Sequence, residues 1–227
     1  MAVEIALCAA RVRYGPLEAL HGVDLRIPSA RITVLLGRNG AGRSTALHAL
    51  AGSQPLSAGR VRWFGGAAAG RDITALDAFR RARLGMALVP AERAVFPSLS
   101  AAEHLSRLAP PARGAALELF PELRRLLERR AGTLSGGEQQ LLALAVALAG
   151  PHRLLLLDEL GRGLAAPVLA RVHAALAAAV AAGRTVVLAE QRLPPGLATD
   201  LVYVLHRGSV AFVGEPGEPA AELRNLT

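Results

Sequence analysis

The chain has 227 residues, enough to bury a sizeable core in one domain with a single inserted subdomain and too few for a second copy of it. Its formal net charge of +8 comes from arginine alone, because no lysine occurs, and those arginines are scattered apart from short clusters at Arg80, Arg81 and Arg83 and at Arg124, Arg125, Arg129 and Arg130. No aromatic residues alternate with the clusters, which argues against a nucleic-acid groove and predicts solvated helix faces; the single cysteine, Cys8, argues against a disulfide framework, and arginine, glycine or proline interrupts every apolar run before it reaches membrane-spanning length.

Residues 3 to 13 and 23 to 34 read as strands separated by a polar turn, with Cys8 a small buried residue in the first and Tyr14 and Gly15 in the connection. Ile32 to Leu36 is a buried strand running straight into Gly37-Arg38-Asn39-Gly40-Ala41-Gly42-Arg43-Ser44-Thr45. That stretch has the G-x-x-x-x-G-K-[ST] spacing of a phosphate loop, with arginine in place of lysine. Its glycines let backbone N–H groups converge on phosphate oxygens, and a helix from Ser44 to Leu50, closed by Gly52, adds its N-terminal dipole.

Arg60 to Phe64 and the glycines after it predict a small antiparallel edge, and Thr74 to Arg83 a helix with Thr74 as its cap and Asp77 three residues on. Leu84 to Pro90 is a strand leading out of the core into the loop Ala91-Glu92-Arg93-Ala94-Val95-Phe96-Pro97-Ser98-Leu99-Ser100. Phe96 has two readings there, an exposed contact for another protein or a ring tucked into its own subdomain. Ala101 to Arg130 has helical periodicity broken at Pro110-Pro111.

Leu134-Ser135-Gly136-Gly137-Glu138-Gln139 opens an apolar helix, and Leu154 to Leu157 reads as a buried parallel strand that ends in Asp158 and Glu159. Carboxylates at the carboxyl end of such a strand stand where open α/β sheets place ligands; the rival reading is a cap for the following helix. Thr185 to Ala189 is another buried strand, ending in Glu190-Gln191, and Leu201 to Val213 a hairpin around Arg207-Gly208 with a polar tail to Thr227. The histidines His21, His48, His104, His152, His173 and His206 show no metal-ligand spacing and are expected to be incidental.

The phosphate loop, the Leu134–Gln139 run and the Leu154–Glu159 strand, in this order, closely resemble the phosphate-loop, signature and Walker B segments of ATP-binding-cassette (ABC) ATPases, and the resemblance extends from Tyr14 to about Glu215. It implies an α/β P-loop NTPase core, a mostly parallel sheet with an antiparallel edge subdomain, in which residues 1–90 and 136–227 form the core of one nucleotide-binding domain and about 91–135 an inserted helical subdomain. It implies ATP with Mg²⁺. Tyr14 would stack on the adenine; Gly37, Asn39, Gly40, Ala41, Gly42, Arg43 and Thr45 would hold phosphates; Ser44 and Asp158 would hold the metal. Glu159 would orient or deprotonate the attacking water, and Gln191, at the switch position, would hydrogen-bond the γ-phosphate or water. Ser135, Gly136 and Gly137 would bind the γ-phosphate of a nucleotide on the opposite subunit, in a head-to-tail dimer with an identical or different ABC ATPase subunit.

The loop from Ala91 to Ser100, Leu119-Phe120-Pro121-Glu122-Leu123 and Glu190-Gln191 resemble the branched-chain amino-acid importer cassettes in particular. That resemblance implies an ATP-hydrolysing subunit at the cytoplasmic face of the membrane, attached to integral permease subunits and served by a solute-binding protein. The chain departs from the pattern at Arg43, at Ala91 where a magnesium-contacting Gln or Glu is expected, at Val146 in place of an arginine, and at Leu160 and Gly161 in place of proline and serine. Glu92 could replace the residue missing at Ala91 only through a one-residue shift. A guanidinium is planar and bulkier than an ammonium, so Arg43 is expected to preserve charge while weakening binding and slowing hydrolysis. These departures define an alternative, a regulatory subunit of a heterodimer that hydrolyses slowly at its own site and offers an intact signature to its partner. A DNA-repair or translation-associated ABC ATPase is a further rival, disfavoured because no coiled-coil insertion or second cassette is present.

Overall fold

The computed structural model describes residues 2–65, 67–92 and 94–217; Met1, Gly66, Arg93 and the tail from 218 to Thr227 lie outside the described residues. Strands β1 (Val3–Tyr14), β2 (Leu17–Pro28), β4 (Ala58–Trp63) and β5 (Arg71–Asp72) form an antiparallel sheet in the order β2-β1-β4-β5. The larger sheet runs β10-β9-β3-β8-β7-β6, built from β3 (Ile32–Leu36), β6 (Met86–Val89), β7 (Leu154–Asp158), β8 (Thr185–Glu190), β9 (Leu201–His206) and β10 (Ser209–Gly214). All its pairings are parallel except that of β9 with β10. Helices α1 (Arg43–Ala51), α2 (Ala78–Ala82), α5 (Gly136–Ala149) and α6 (Ala166–Ala181) accompany the sheets, and α3 (Ala101–Leu105) and α4 (Pro110–Leu119) lie between β6 and α5. Among the described residues no helix is long and apolar enough to cross a membrane.

The unbroken apolar runs of β3 and β7 are two alternations laid into one another. Val34, Leu36, Leu155 and Leu157 enter a core shared with α5, α6 and the inserted helices. Leu35, Leu154 and Leu156 point the other way, into a core shared with α1 and the antiparallel sheet. A strand covered on both faces has no polar side to show, which is why its sequence reads as continuous hydrophobicity.

Several expectations are corrected. The stretch from 23 to 34 is two strands in different sheets, divided at Ser29-Ala30, where Ala30 takes a positive φ of 53° and the Ser29 amide donates to the Ala2 carbonyl. Tyr14 closes β1, and the turn lies one residue on, at Gly15-Pro16. Cys8 is half-buried. Asp77, and not Thr74, caps α2, accepting from the Arg80 amide at 2.8 Å. Thr74 is held in a turn by Asp72, and its Oγ1 accepts from the Val61 amide. The periodic run from Ala101 divides earlier than its prolines, since α3 ends at Leu105 and Pro110 is the first residue of α4.

The arginine clusters differ from each other. Arg124, Arg125, Arg129 and Arg130 are exposed, as the sequence predicts. Arg81 is only 2% exposed and donates to the carbonyls of Ala49, Leu50, Leu76 and Thr74 at 2.7 to 3.1 Å. It therefore closes the C-terminus of α1, satisfying carbonyls that the helix leaves without partners, and burial lowers its pKa to about 10. Arg184 does the same for α5, donating to Ala147, Leu148 and His152. His104 is likewise structural: its Nε2 takes the Phe96 amide at 2.9 Å, its Nδ1 meets the Ser100 carbonyl, and its ring stacks on Phe96. Phe96 is nevertheless 56% exposed, so its ring is only partly tucked into its own subdomain.

Replacing Arg81 by methionine keeps the unbranched apolar stem, removes the guanidinium donors and strands buried carbonyls, so it is expected to cost roughly 2–4 kcal/mol of unfolding free energy. Arg80→Met, on the exposed side of the same helix, is expected to cost less than about 0.5 kcal/mol; urea denaturation of both variants measures the contrast.

Candidate functional site

Three adjacent strands of the larger sheet end side by side. In the pairing of β3 with β8, Leu36 stands opposite Glu190, and in that of β8 with β7, Ala189 stands opposite Asp158. The loop after Leu36, the acids after Leu157 and the pair Glu190-Gln191 are thus delivered to one edge.

The loop is braced from outside the motif. Gly42 caps α1 in the left-handed region, with φ of 100°, and a Cβ there would lie 2.8 Å from Leu20 and 3.1 Å from the Ala19 carbonyl. The Ala41 carbonyl accepts from the Gly208 amide, whose own carbonyl accepts from His21. Gly37 leaves β3 against the Leu205 carbonyl, where a side chain would not fit. The Arg207-Gly208 turn, with positive φ at both residues, is therefore a support of the loop as well as a hairpin end. Sequence reasoning missed this support. Over the loop lies a cleft of about 540 Å³, bordered by residues 39–45, Glu159, Arg207 and, at one side, Tyr14, whose ring is 47% exposed.

Arg43 begins α1 and is 5% exposed. Its Nη2 lies 3.4 Å from Asn39 Oδ1 and 3.8 Å from Glu159 Oε1, and its buried Nη1 has no partner among the described residues. Asn39 Oδ1 also accepts from Gln191 Nε2 at 2.9 Å. Next along, the Ser44 side chain stands beside Asp158, a carboxylate 2% exposed that burial holds above its ordinary pKa against the opposing influence of that hydroxyl. Asp158 Oδ1 is buried without a partner among the described residues.

Glu159 has a positive φ of 48°, an arrangement costly for a residue with a side chain. Its amide donates to the Ala189 carbonyl, and its carboxylate lies between Arg43 on Oε1 and Arg162 on Oε2, each 3.8 Å away. The two acids do not cap a helix, because α6 starts at Ala166 with Ala165 before it. Two of the residues at the departures have packing roles: Leu160 is 1% exposed in the core, and Val146 packs against that core.

Ser135, Gly136 and Gly137 stand elsewhere. Ser135 caps α5 in a reciprocal box, its Oγ accepting from the Glu138 amide and its own amide donating to Glu138 Oε2 at 2.9 Å. A Cβ on Gly137 would run into the carbonyl of Gly163. The glycines border a second cavity, of about 320 Å³, together with Ala91, Glu92 and Arg162. Glu92 does not turn toward Ser44 and Asp158, because its Oε1 takes Arg162 Nη1 at 3.3 Å.

Glu190 is a residue the sequence reading passed over. It accepts from the Leu160 amide at 2.8 Å, joining the end of β8 to the loop after Glu159, and burial pushes its pKa up to about 7. The signal was present, since it is an acid at the end of a buried parallel strand. The folded chain holds this proton more tightly than the unfolded chain does. The associated stability is full below the ordinary carboxylate range and is lost as pH rises through about 7. Glu190→Gln is expected to remove on the order of 1–3 kcal/mol of the fall in unfolding free energy between about pH 4 and about pH 8, measured by denaturant titration across that range.

The family model described as ABC transporter matches residues 20–161. The high-affinity branched-chain amino acid transport ATP-binding protein BraG of Pseudomonas aeruginosa is 36% identical over 208 residues, 88% of this chain and 87% of that protein. The probable branched-chain amino acid transport ATP-binding protein LivF of Archaeoglobus fulgidus is 37% identical over 216 residues, 90% of this chain and 89% of that one. Among solved structures, a nucleotide-free ATP-binding cassette from an ABC transporter superposes with a TM-score of 0.78 at 22% identity, covering 100% of this chain and 95% of that one. An ATP binding subunit of an ABC transporter gives a TM-score of 0.83 at 20% identity, covering 98% and 94%. The structural likenesses establish the P-loop NTPase fold of a cassette; with the matched family model and the two relatives, they show that the chain belongs to the ABC transporter family.

Proposed function

We propose that the chain is the ATP-binding and ATP-hydrolysing subunit of an amino-acid importer of the branched-chain type. In this reading it sits at the cytoplasmic face of the membrane on integral permease subunits, supplied by a solute-binding protein, and works as a head-to-tail dimer with a second cassette. The observation that carries the nucleotide reading is a pair of buried, unpartnered atoms of opposite charge: Arg43 Nη1, which wants an anion, and Asp158 Oδ1, which wants a cation. Ser44 connects them, adjoining Arg43 in the chain and standing beside Asp158. A magnesium–nucleoside triphosphate supplies both charges at once. The amino-acid reading rests on the two relatives described as branched-chain amino acid transport ATP-binding proteins.

Each residue has a role in this account. Tyr14 offers a ring face to the adenine. The amides of Gly37, Asn39, Gly40, Ala41, Gly42 and Thr45, with the N-terminus of α1, take the phosphate oxygens, and Arg43 adds a fork of donors. Ser44 and Asp158 would hold Mg²⁺, which supplies charge neutralisation on the phosphate oxygens. Arg43 faces Glu159, so an arriving phosphate competes for its guanidinium and frees the carboxylate to accept a hydrogen bond from water. As that water's oxygen bonds to the terminal phosphorus and the bond to the bridging oxygen breaks, Glu159 takes the proton. Gln191, tethered to Asn39 at the loop, is placed to hold the same water or the phosphate.

The relatives lend no support to the alternative of a slowly hydrolysing regulatory subunit, and the geometry narrows that alternative to how well a guanidinium serves where an ammonium is usual. Phosphate release by the purified chain is the first test. Glu159→Gln is expected to lower kcat by roughly 10²–10⁴-fold while nucleotide binding persists; a rate indifferent to Glu159 would overturn the assignment. Arg43→Lys is expected to raise kcat by about tenfold if positioning of the phosphate limits the wild-type rate, and an unchanged rate retires the sluggish-site idea. Asp158→Asn is expected to weaken nucleotide binding by about tenfold or more in Mg²⁺ and by less than about twofold in EDTA, read by titration with a fluorescent nucleotide.

A further inference from the structure

The second cavity, between the start of α5 and the loop after Glu159, shares no lining residue with the cleft over the phosphate loop. Its wall includes two amides without a partner among the described residues. The reciprocal box at Ser135 and Glu138 consumes the amides of those two residues, whereas Gly136 and Gly137 lie in the first turn of a 14-residue helix, where no intrahelical acceptor exists. A helix end of this kind attracts anions but does not by itself define a site. Gln140, one turn further along, borders the same cavity; it is 5% exposed, and its Nε2 is buried with no partner among the described residues. A buried donor left open this way is costly, and it is accounted for where a ligand supplies the acceptor.

Arg162 completes the wall. Its side chain is 56% exposed and engaged only loosely, with Glu92 Oε1 at 3.3 Å and Glu159 Oε2 at 3.8 Å. Exposed pairs of this sort hold little free energy and are given up readily to a multiply charged anion. Gly161 and Gly163 flank it, the latter at φ of 74° and packed on Gly137, so the arginine is carried on a short arm whose far end is anchored to the helix start. Of the acids nearby, Glu138 is turned back into its box with Ser135, which leaves Glu92 as the described carboxylate facing the cavity. A planar guanidinium beside two amides and a carboxamide fits a tetrahedral phosphate.

We propose that Arg162 is a further phosphate-binding residue of the reaction, acting in trans. With Gly136, Gly137 and Gln140 it receives the terminal phosphate of a nucleotide held on the phosphate loop of the second cassette. This rests on the dimer proposed above and adds to it a cation from the loop after Glu159. The chain's own nucleotide cannot be the ligand, because its cleft lies apart from this cavity. While no partner is engaged, Arg162 stays on Glu92 and Glu159; when the partner's phosphate arrives, it leaves both.

Mixed dimers with one live site test this. Pairing the unaltered chain with a Glu159→Gln chain leaves hydrolysis only on the unaltered loop, faced by the cavity of the altered chain. Arg162→Ala is then placed on one chain or the other, and phosphate release is measured at saturating ATP. The loss is expected to be greater by about tenfold or more when the arginine is removed from the chain facing the live loop than from the chain carrying it, with Arg162→Lys restoring part of the rate. The Glu159→Gln chain is also expected to need about tenfold more ATP to dimerise, by analytical ultracentrifugation, once Arg162 is alanine. Equal losses in the two placements, the reverse asymmetry, or no loss would overturn the proposal and leave the dimer standing. Failure of the Glu159→Gln chain with intact Arg162 to dimerise in millimolar Mg-ATP would overturn the dimer itself, and the proposal with it.

Discussion

The structure depends on the parallel register of β3, β8 and β7. Backbone hydrogen bonds set Leu36 against Glu190 and Ala189 against Asp158, and a slip of one residue would send each strand's side chains to the opposite core. Because Val34 and Leu36 feed one core and Leu35 the other, both cores oppose such a slip. The price of placing the loop and the acids together is therefore met by apolar packing well away from them. What remains for the site residues is to manage charge where burial makes charge expensive.

They manage it by mutual restraint. Asp158 is buried beside the Ser44 hydroxyl, Glu190 is fixed by the Leu160 amide, and Glu159 is held in a costly backbone conformation between two arginines. Among the described residues, Asp158 and the neighbouring Arg43 each keep one buried atom that the protein leaves without a partner. Those open valences, at Arg43 Nη1 and Asp158 Oδ1, sit behind a glycine loop whose shape is dictated by contacts with β2 and the Arg207-Gly208 turn. A rigid cradle with unspent charge is the condition under which ligand binding, and not folding, completes the electrostatics.

Much of this was legible in the sequence where the cause is local. The spacing from Gly37 to Thr45, the leucines before Asp158 and the run after Leu134 carry their meaning within a few residues, and the Arg207-Gly208 hairpin follows from turn chemistry. What was not legible is contact at a distance. Arg81 looks like one of three surface arginines, and only the folded chain puts it on the carbonyls of Ala49 and Leu50, 32 and 31 residues earlier. His104 looked incidental because its partners, a loop amide and a carbonyl, leave no sequence signature. The division at Ser29-Ala30 was hidden because residues on both sides are apolar; one side belongs to the antiparallel sheet and the other to the parallel one. Glu190 was overshadowed by its neighbour Gln191, though its position at a strand end is the same signal that singled out Asp158.

The lack of lysine sharpens the reading of the arginines that are buried. At Arg81 and Arg184 a fork of donors spans several carbonyls of a helix end, a task for which a single ammonium has poorer geometry. At Arg43 the same fork stands where a phosphate loop usually carries the point charge of lysine, and it reaches to within 3.8 Å of Glu159. In the function proposed above, the substitution would tie the residue that binds the phosphate to the residue that takes the proton from water, so that filling the loop and freeing the base would become a single event. Arg162, on the other oxygen of the same carboxylate, ties that base to the second cavity. On the two proposals made above, a carboxylate held from both sides would be released in full only when both arginines find a better anion, so that the chemistry would be conditional on two phosphates arriving, one on each face of the chain.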